Sequence, residues 1–185
     1  TLVVAYDDAK FGFAARCWWL LRQLGHANVK LLNGGFQAWC AAGLPVSAEV
    51  PPTAHGDIEP GQPLGASVDI NEVKTIPLLP GHVLVDSREE RRFLGYEEPM
   101  DPVAGHINGA VNLPWRSVTD EQGFLLSPEQ LRQHWEPWLD SEIVAYCGSG
   151  VSACVNLLSL VELGVENAKL YPGSWSDWCS YLEHP

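Results

Sequence analysis

The stretch Ala145-Tyr146-Cys147-Gly148-Ser149-Gly150-Val151-Ser152-Ala153-Cys154 decides how this chain is read. The apolar run Ile143 to Tyr146 predicts a strand, which delivers Cys147 into a tight glycine loop that an apolar helix follows at once. In such a turn, successive backbone N–H groups and the positive end of a helix dipole converge on one sulfur. A thiol held there is expected to ionise below the usual ~8.5, because its surroundings stabilise the thiolate. Packing is a poor account of this cysteine, since its neighbours Gly148 and Gly150 pack weakly and are costly to order. Cys17, Cys40, Cys154 and Cys179 sit among aromatic or aliphatic neighbours and read as inert packing. Strand, tight loop and helix are also the context a nucleophile motif requires.

The loop's composition narrows the chemistry. A cysteine phosphatase needs an arginine after five intervening residues, to grip a phosphate dianion with a guanidinium fork. That position is Ala153, and the loop carries no cationic side chain. Bare amides suit a compact anion, or a persulfide carried on Cys147 itself. The amides of Gly148, Ser149, Gly150, Val151 and Ser152 are the candidates to hold it. Ser152 is also placed to cap the following helix.

Laid against itself, the chain repeats. Leu24 to Cys40 aligns with Leu163 to Cys179 without a gap, sharing eight residues of seventeen, and Val4-Ala5-Tyr6 matches Val144-Ala145-Tyr146 after one extra loop residue. In the first copy Asp7 occupies the place of Cys147. One copy can do thiol chemistry and the other cannot. Apolar runs at Val3–Tyr6, Val83–Asp86, Ala110–Leu113 and Ile143–Tyr146 alternate with helical patterns at Ala14–Leu24, Ser127–Trp138 and Ser152–Leu163. That alternation predicts an α/β fold with a mainly parallel sheet flanked by helices, and a site at the carboxyl end of a strand. The Pro- and Gly-rich residues 50–65 read as a linker.

On these residues the chain resembles the rhodanese superfamily, in its tandem-domain sulfurtransferase form that takes sulfur from 3-mercaptopyruvate or thiosulfate. The carrying motifs are the Cys147-Gly-Ser-Gly-Val-Ser-Ala loop, Gly105-His106-Ile107-Asn108-Gly109-Ala110-Val111-Asn112-Leu113-Pro114, Val85-Asp86-Ser87-Arg88 and Arg92-Phe93-Leu94-Gly95. The resemblance implies a first domain retired by aspartate at the cysteine position, and Asp7 reproduces this. It divides the chain into 1–49, the back half of an inactive rhodanese domain; 50–65, the linker; and 66–185, the catalytic domain. It also implies a truncated first domain, with on the order of 100 residues expected ahead of Thr1.

The resemblance assigns Cys147 as the persulfide carrier and Arg92 as the group that binds the donor's anionic end. Ser149 matches a serine that passes a proton together with a histidine and an aspartate of the first domain. The family's second arginine, nine residues after the first, is Asp101 here, and the basic loop residues of vertebrate thiosulfate enzymes are absent, so both donors stay open. His106 reads as ordering its turn, Asp86 and Arg88 as paired scaffold, and Trp115, Trp175 and Trp178 as packing or the rim of a substrate mouth.

Composition bounds the rest. The 185 residues carry a net charge of −12, which argues against nucleic acid, and no apolar run approaches a bilayer span. Five cysteines without a CxxC pair suggest neither a disulfide framework nor a metal site, and no cofactor is implied. A working thiolate favours a reducing compartment such as the cytoplasm. The expected partners are a small anionic sulfur donor and a thiophilic acceptor: cyanide, a thiol or a thioredoxin-like protein. A persulfide-relaying protein module and a regulatory module without turnover are the competing readings.

Overall fold

The computed structural model describes residues 1–53, 56 and 58–182. It is an α/β fold built from two successive units, each around a parallel sheet. In the first, β1 (Val3–Ala5) pairs with β2 (Val29–Leu31) through the crossover helix α1 (Ala14–Gln23), and α2 (Gly35–Ala41) follows. The second runs through α3 (Ile70–Thr75), β3 (His82–Asp86), α4 (Glu90–Phe93), β4 (Val111–Asn112) and α5 (Pro128–Trp135). It continues with β5 (Glu142–Tyr146), α6 (Ala153–Glu162), β6 (Lys169–Leu170) and α7 (Ser174–Cys179). Its strands lie in the order β4-β3-β5-β6, all parallel.

The sequence repeat is a structural one. Both α1 and α6 are ten residues long, and their starts at Ala14 and Ala153 keep the repeat's register, as do the starts of α2 and α7 at Gly35 and Ser174. Residues 153–160 of α6 are all buried; the two polar ones are hydrogen-bonded inside, Asn156 Nδ2 donating to Ser87 Oγ and the Leu113 carbonyl and Ser159 Oγ accepting from Trp135 Nε1. Trp18 and Trp19 of α1 belong to the same apolar cluster as Leu157 and Leu158 of α6 and Val85 and Ala145 of the second sheet, so one core spans both units. Each fully buried side chain of this kind contributes on the order of 2 kcal/mol.

The units differ on the other face. In the second, α3 and the residues around Ile107 cover β5, leaving Val144 2% and Tyr146 0% exposed. In the first, Val4 is 48% and Tyr6 59% exposed, and with Phe36 and Trp39 they line an open apolar groove.

Several expected boundaries move. The helix expected over 127–138 splits into α5 and a 3-10 turn, Glu136–Trp138, because Pro137 has no N–H to donate to the carbonyl one turn back. The strand expected over 110–113 shrinks to Val111–Asn112, since the Ala110 N–H turns back to the Ile107 carbonyl and Pro114 follows. The α3 helix was not anticipated. Its signal is the capping box in which Asp69 receives the Asn71 and Glu72 amides and Glu72 receives that of Asp69. Within 50–65 no described residue is in a helix or strand; positions 54, 55 and 57, like 183–185 of the last expected domain, lie outside the described residues.

Candidate active site

Cys147 follows β5 directly and is 2% exposed. Its N–H donates to Ser174 Oγ at 3.1 Å and its carbonyl accepts from the Trp175 N–H at 3.0 Å, so α7 holds the residue from the side. The chain then bends back at Gly150, whose φ of +74° suits glycine and where a Cβ would run into the Pro172 carbonyl. Among the described residues, the N–H groups from Gly148 to Ser152 donate to no protein acceptor. They lead into the N-terminus of α6, where the helix dipole adds to the attraction for negative charge.

The equivalent loop of the first unit shows how such amides behave with an anion among them. Asp7 Oδ1 accepts from the Ala9 and Phe11 amides at 2.9 and 3.0 Å, and Oδ2 from the Phe13 and Ala14 amides at 2.9 and 2.7 Å. The Phe36 N–H reaches the Asp7 carbonyl as that of Trp175 reaches the Cys147 carbonyl. A carboxylate thus sits where the second unit carries sulfur. The two loops face each other across a cleft of 540 Å³, lined by Lys10, Gly12 and Phe13 on one side and by Cys147 and its following residues on the other, with Arg92, Trp115 and Arg116 completing it.

The structure brings Arg92 to the cleft, its guanidinium lying beside Gly148. That guanidinium is engaged: Nη2 meets Glu98 Oε1 at 2.5 Å and Asp101 Oδ2 at 3.5 Å, and Nε donates to Glu98 Oε2 at 3.2 Å. Burial works against ionisation of Glu98, but the bonds from Arg92 and from the Met100 and Asp101 amides hold its carboxyl below its ordinary value. Arg88 is a buried staple, paired with Asp86. It binds Asp86 through Nε and Nη2, the Gly105 carbonyl at 2.6 Å and Glu98 at 3.1 Å, and lies over the Trp175 ring. Burial alone would lower its pKa, but the bonds and charge of Asp86 raise it.

Other expected residues sort by position. His106 Nδ1 lies 2.8 Å from the Phe93 carbonyl and its ring stacks on Phe93, which ties the turn to α4. Trp115 lines the cleft, whereas Trp175 and Trp178 pack in the second apolar cluster. Ser149 stands exposed at the loop tip.

Two expectations fail. Ser152 makes no side-chain cap, because its φ and ψ of −70° and −22° are already helical and a capping side chain needs an extended backbone. Cys17 and Cys40 are exposed on α1 and α2 rather than packed, while Cys154 and Cys179 are buried. Burial pushes the Cys154 thiol up to about 12, which leaves it protonated and unreactive at neutral pH.

Sequence reasoning missed three cations. Arg16 of α1 donates to the Gly150 carbonyl at 3.1 Å, a contact from the first unit into the cysteine loop. Lys10 of the first unit and Arg116 of the second both line the cleft. Lys10 and Arg16 follow Asp7 closely, and an acid-for-cysteine exchange draws attention away from its neighbours. Among the described residues, no cluster of His, Cys, Asp or Glu has metal-binding geometry, and no helix is long and apolar enough to cross a membrane.

With this geometry in view, the likenesses to known proteins fall into one group. The rhodanese-like domain family matches residues 1–42 and 70–181. A Pseudomonas aeruginosa protein named "Probable 3-mercaptopyruvate sulfurtransferase" is 45% identical over 99% of this chain and 66% of its own length. The thiosulfate sulfurtransferase of Cricetulus griseus is 36% identical over 96% of this chain and 63% of its own. The chain therefore spans about two thirds of the length of these relatives. Among solved structures, Escherichia coli SseA, described as a 3-mercaptopyruvate sulfotransferase with a rhodanese fold, superposes with a TM-score of 0.83. It is 31% identical, over 95% of this chain and 67% of that one. By family match, fold and internal repeat, the chain belongs to the rhodanese family.

Proposed function

We propose that the chain is the catalytic portion of a sulfurtransferase working through a persulfide on Cys147. The observation that carries this reading is the pair of loops: the first folds its amides onto the Asp7 carboxylate, and the second repeats the strand–loop–helix after Cys147 with the N–H groups from Gly148 to Ser152 donating to no protein acceptor among the described residues. The Cys147 thiolate attacks the outer sulfur of an anionic donor, forming a new S–S bond. The bond from that sulfur to the donor breaks, and its electron pair leaves as sulfite from thiosulfate, or as the enolate of pyruvate from 3-mercaptopyruvate, which then takes a proton. The terminal sulfur, now negative, lies against the amides of Gly148, Ser149, Gly150, Val151 and Ser152, as an oxyanion lies in its hole. Cyanide or a thiol then attacks that sulfur, and the electron pair of the S–S bond returns to Cys147 as thiolate.

Names carried by the relatives support both donors, and Asp101 in place of a second arginine leaves neither preferred. Ser149 at the loop tip is a candidate for proton handling, and Arg92 for framing the donor's approach. A thioredoxin-like protein suits the acceptor role, and a reducing compartment such as the cytoplasm suits the thiolate. The same reading takes residues 1–49 as the back half of a retired rhodanese domain and 66–185 as the working one. The exposed face of Val4, Tyr6 and Phe36 supports it, since their repeat equivalents are covered in the second unit by residues 66–113.

Initial rates with thiosulfate or 3-mercaptopyruvate against varied cyanide test the proposal. A covalent intermediate predicts parallel double-reciprocal lines. Intersecting lines, or turnover that survives Cys147→Ser, would refute it.

A further inference from the structure

We infer that the anionic end of the donor is captured by Lys10 and Arg116, one from each unit, rather than by Arg92. This rests on the sulfur-transfer reading and names the residues that select its substrate. The cleft beside Cys147 is lined by three cationic side chains, Lys10, Arg92 and Arg116, against one acidic side chain, Asp8, in a chain whose net charge is −12. Of the three, Arg92 has its guanidinium taken up by Glu98 and Asp101, and Glu98 is further fixed by Arg88 and by two backbone amides. Freeing that fork for a ligand would strip buried Glu98 of one of its two cations and part Asp101, whose side chain is 7% exposed, from its guanidinium, which is costly.

Lys10 and Arg116 are differently placed. Lys10 Nζ donates at 3.2 Å to the backbone carbonyl of Asp120, a neutral acceptor that positions the ammonium without cancelling its charge. Its stem passes over Gly123, and its backbone is held at φ +53°. Arg116 lies over the Trp115 ring and, among the described residues, pairs with Glu89 at 3.6 Å, with both side chains well exposed. An exposed pair of this kind is worth little and exchanges readily for a ligand carboxylate or sulfonate. One cation comes from each unit, and both line the cleft that Cys147 and its following residues also line, so an anion drawn to them enters the space beside the cysteine loop.

Alkylation of Cys147 by iodoacetate and by iodoacetamide separates charge capture from sulfur chemistry, because the two reagents differ mainly in charge. The ratio of their rates is read on the Cys147 peptide, so that exposed Cys17 and Cys40 do not contribute and general changes in thiol reactivity cancel. In the Lys10→Gln/Arg116→Gln double variant the ratio is expected to fall about tenfold, the effect of two charges acting at a partly screened distance. Arg116→Lys, which keeps the charge, is expected to hold most of it. KM for thiosulfate or 3-mercaptopyruvate should rise by a similar factor, with kcat changing less than about twofold. An unchanged ratio in the double variant, or a fall seen only in Arg92→Gln, would overturn the assignment. A ratio that responds as expected in a chain taking sulfur from neither donor would refute the sulfur-transfer reading and leave the anion site standing.

Discussion

The loop after β1 and the loop after β5 are two versions of one device. Both follow a parallel strand, both enter a ten-residue helix, and both are braced by an amide from the next helix onto the carbonyl of the key residue. They differ in what fills the ring of amides. In the first, the Asp7 carboxylate is a built-in anion that satisfies four N–H donors. In the second, Cys147 brings a group that becomes an anion only when ionised or loaded with sulfur. The difference teaches that the first loop, with its carboxylate bound, gives a working picture of the second with an anion in place.

Swapping the two residues breaks the comparison most severely. Cys147→Asp should abolish sulfur transfer and, by recruiting the loop amides, leave thermal stability unchanged or higher; a clear loss of Tm would mean the two loops do not hold anions alike. The converse change, Asp7→Ala, orphans four donors and should cost about 2–4 kcal/mol in chemical denaturation, within the range for lost charge-assisted bonds. A cost below about 0.5 kcal/mol would show the carboxylate to be incidental.

Smaller changes sharpen it. Lys10 and Phe11 take positive φ in the first loop without glycine, whereas Gly150 also lies against the Pro172 carbonyl. Gly150→Ala should therefore cost about 2 kcal/mol, measured by denaturation, and slow sulfur loading through the displaced loop. Arg16 offers a milder test. Its charge on the Gly150 carbonyl polarises the peptide unit that carries the Val151 N–H, strengthening that donor toward an anion in the loop. Arg16→Gln is expected to lower kcat about tenfold with KM held, and Arg16→Lys to recover part of it. Parallel losses in both variants, accompanied by a lower Tm, would make Arg16 merely structural.

The smallest effect concerns acid. A carboxyl held below its ordinary value, as Glu98 is, adds stability above its unfolded pKa of about 4.5 and loses it as pH falls through the folded value. Unfolding free energy should thus decline below pH ~4.5, and Glu98→Gln should flatten part of that decline. An identical slope in the variant would remove Glu98 from the acid response.

Much of this was legible in the sequence, and the reasons are physical. Cys147, its glycines and the repeat were readable because strand, tight turn and helix each leave a local mark. The α3 capping box was equally local, in Asp69 and Glu72, but a six-residue helix shows too little periodicity to draw notice. The engagement of Arg92 was hidden because Glu98 and Asp101 reach it through loop geometry rather than helical spacing. Arg16, Lys10 and Arg116 were hidden for a similar reason, since they meet the cysteine loop or its cleft only after the two units pack. Cys17 and Cys40 misled because apolar neighbours in sequence do not place a side chain on the buried face.

The most direct test of the central claim is the intact mass of the chain after brief exposure to thiosulfate or to 3-mercaptopyruvate. The account predicts a gain of one sulfur, about 32 Da, removed by cyanide and absent in Cys147→Ser, as a covalent intermediate requires. No gain from either donor, or a gain that persists in Cys147→Ser, would contradict it.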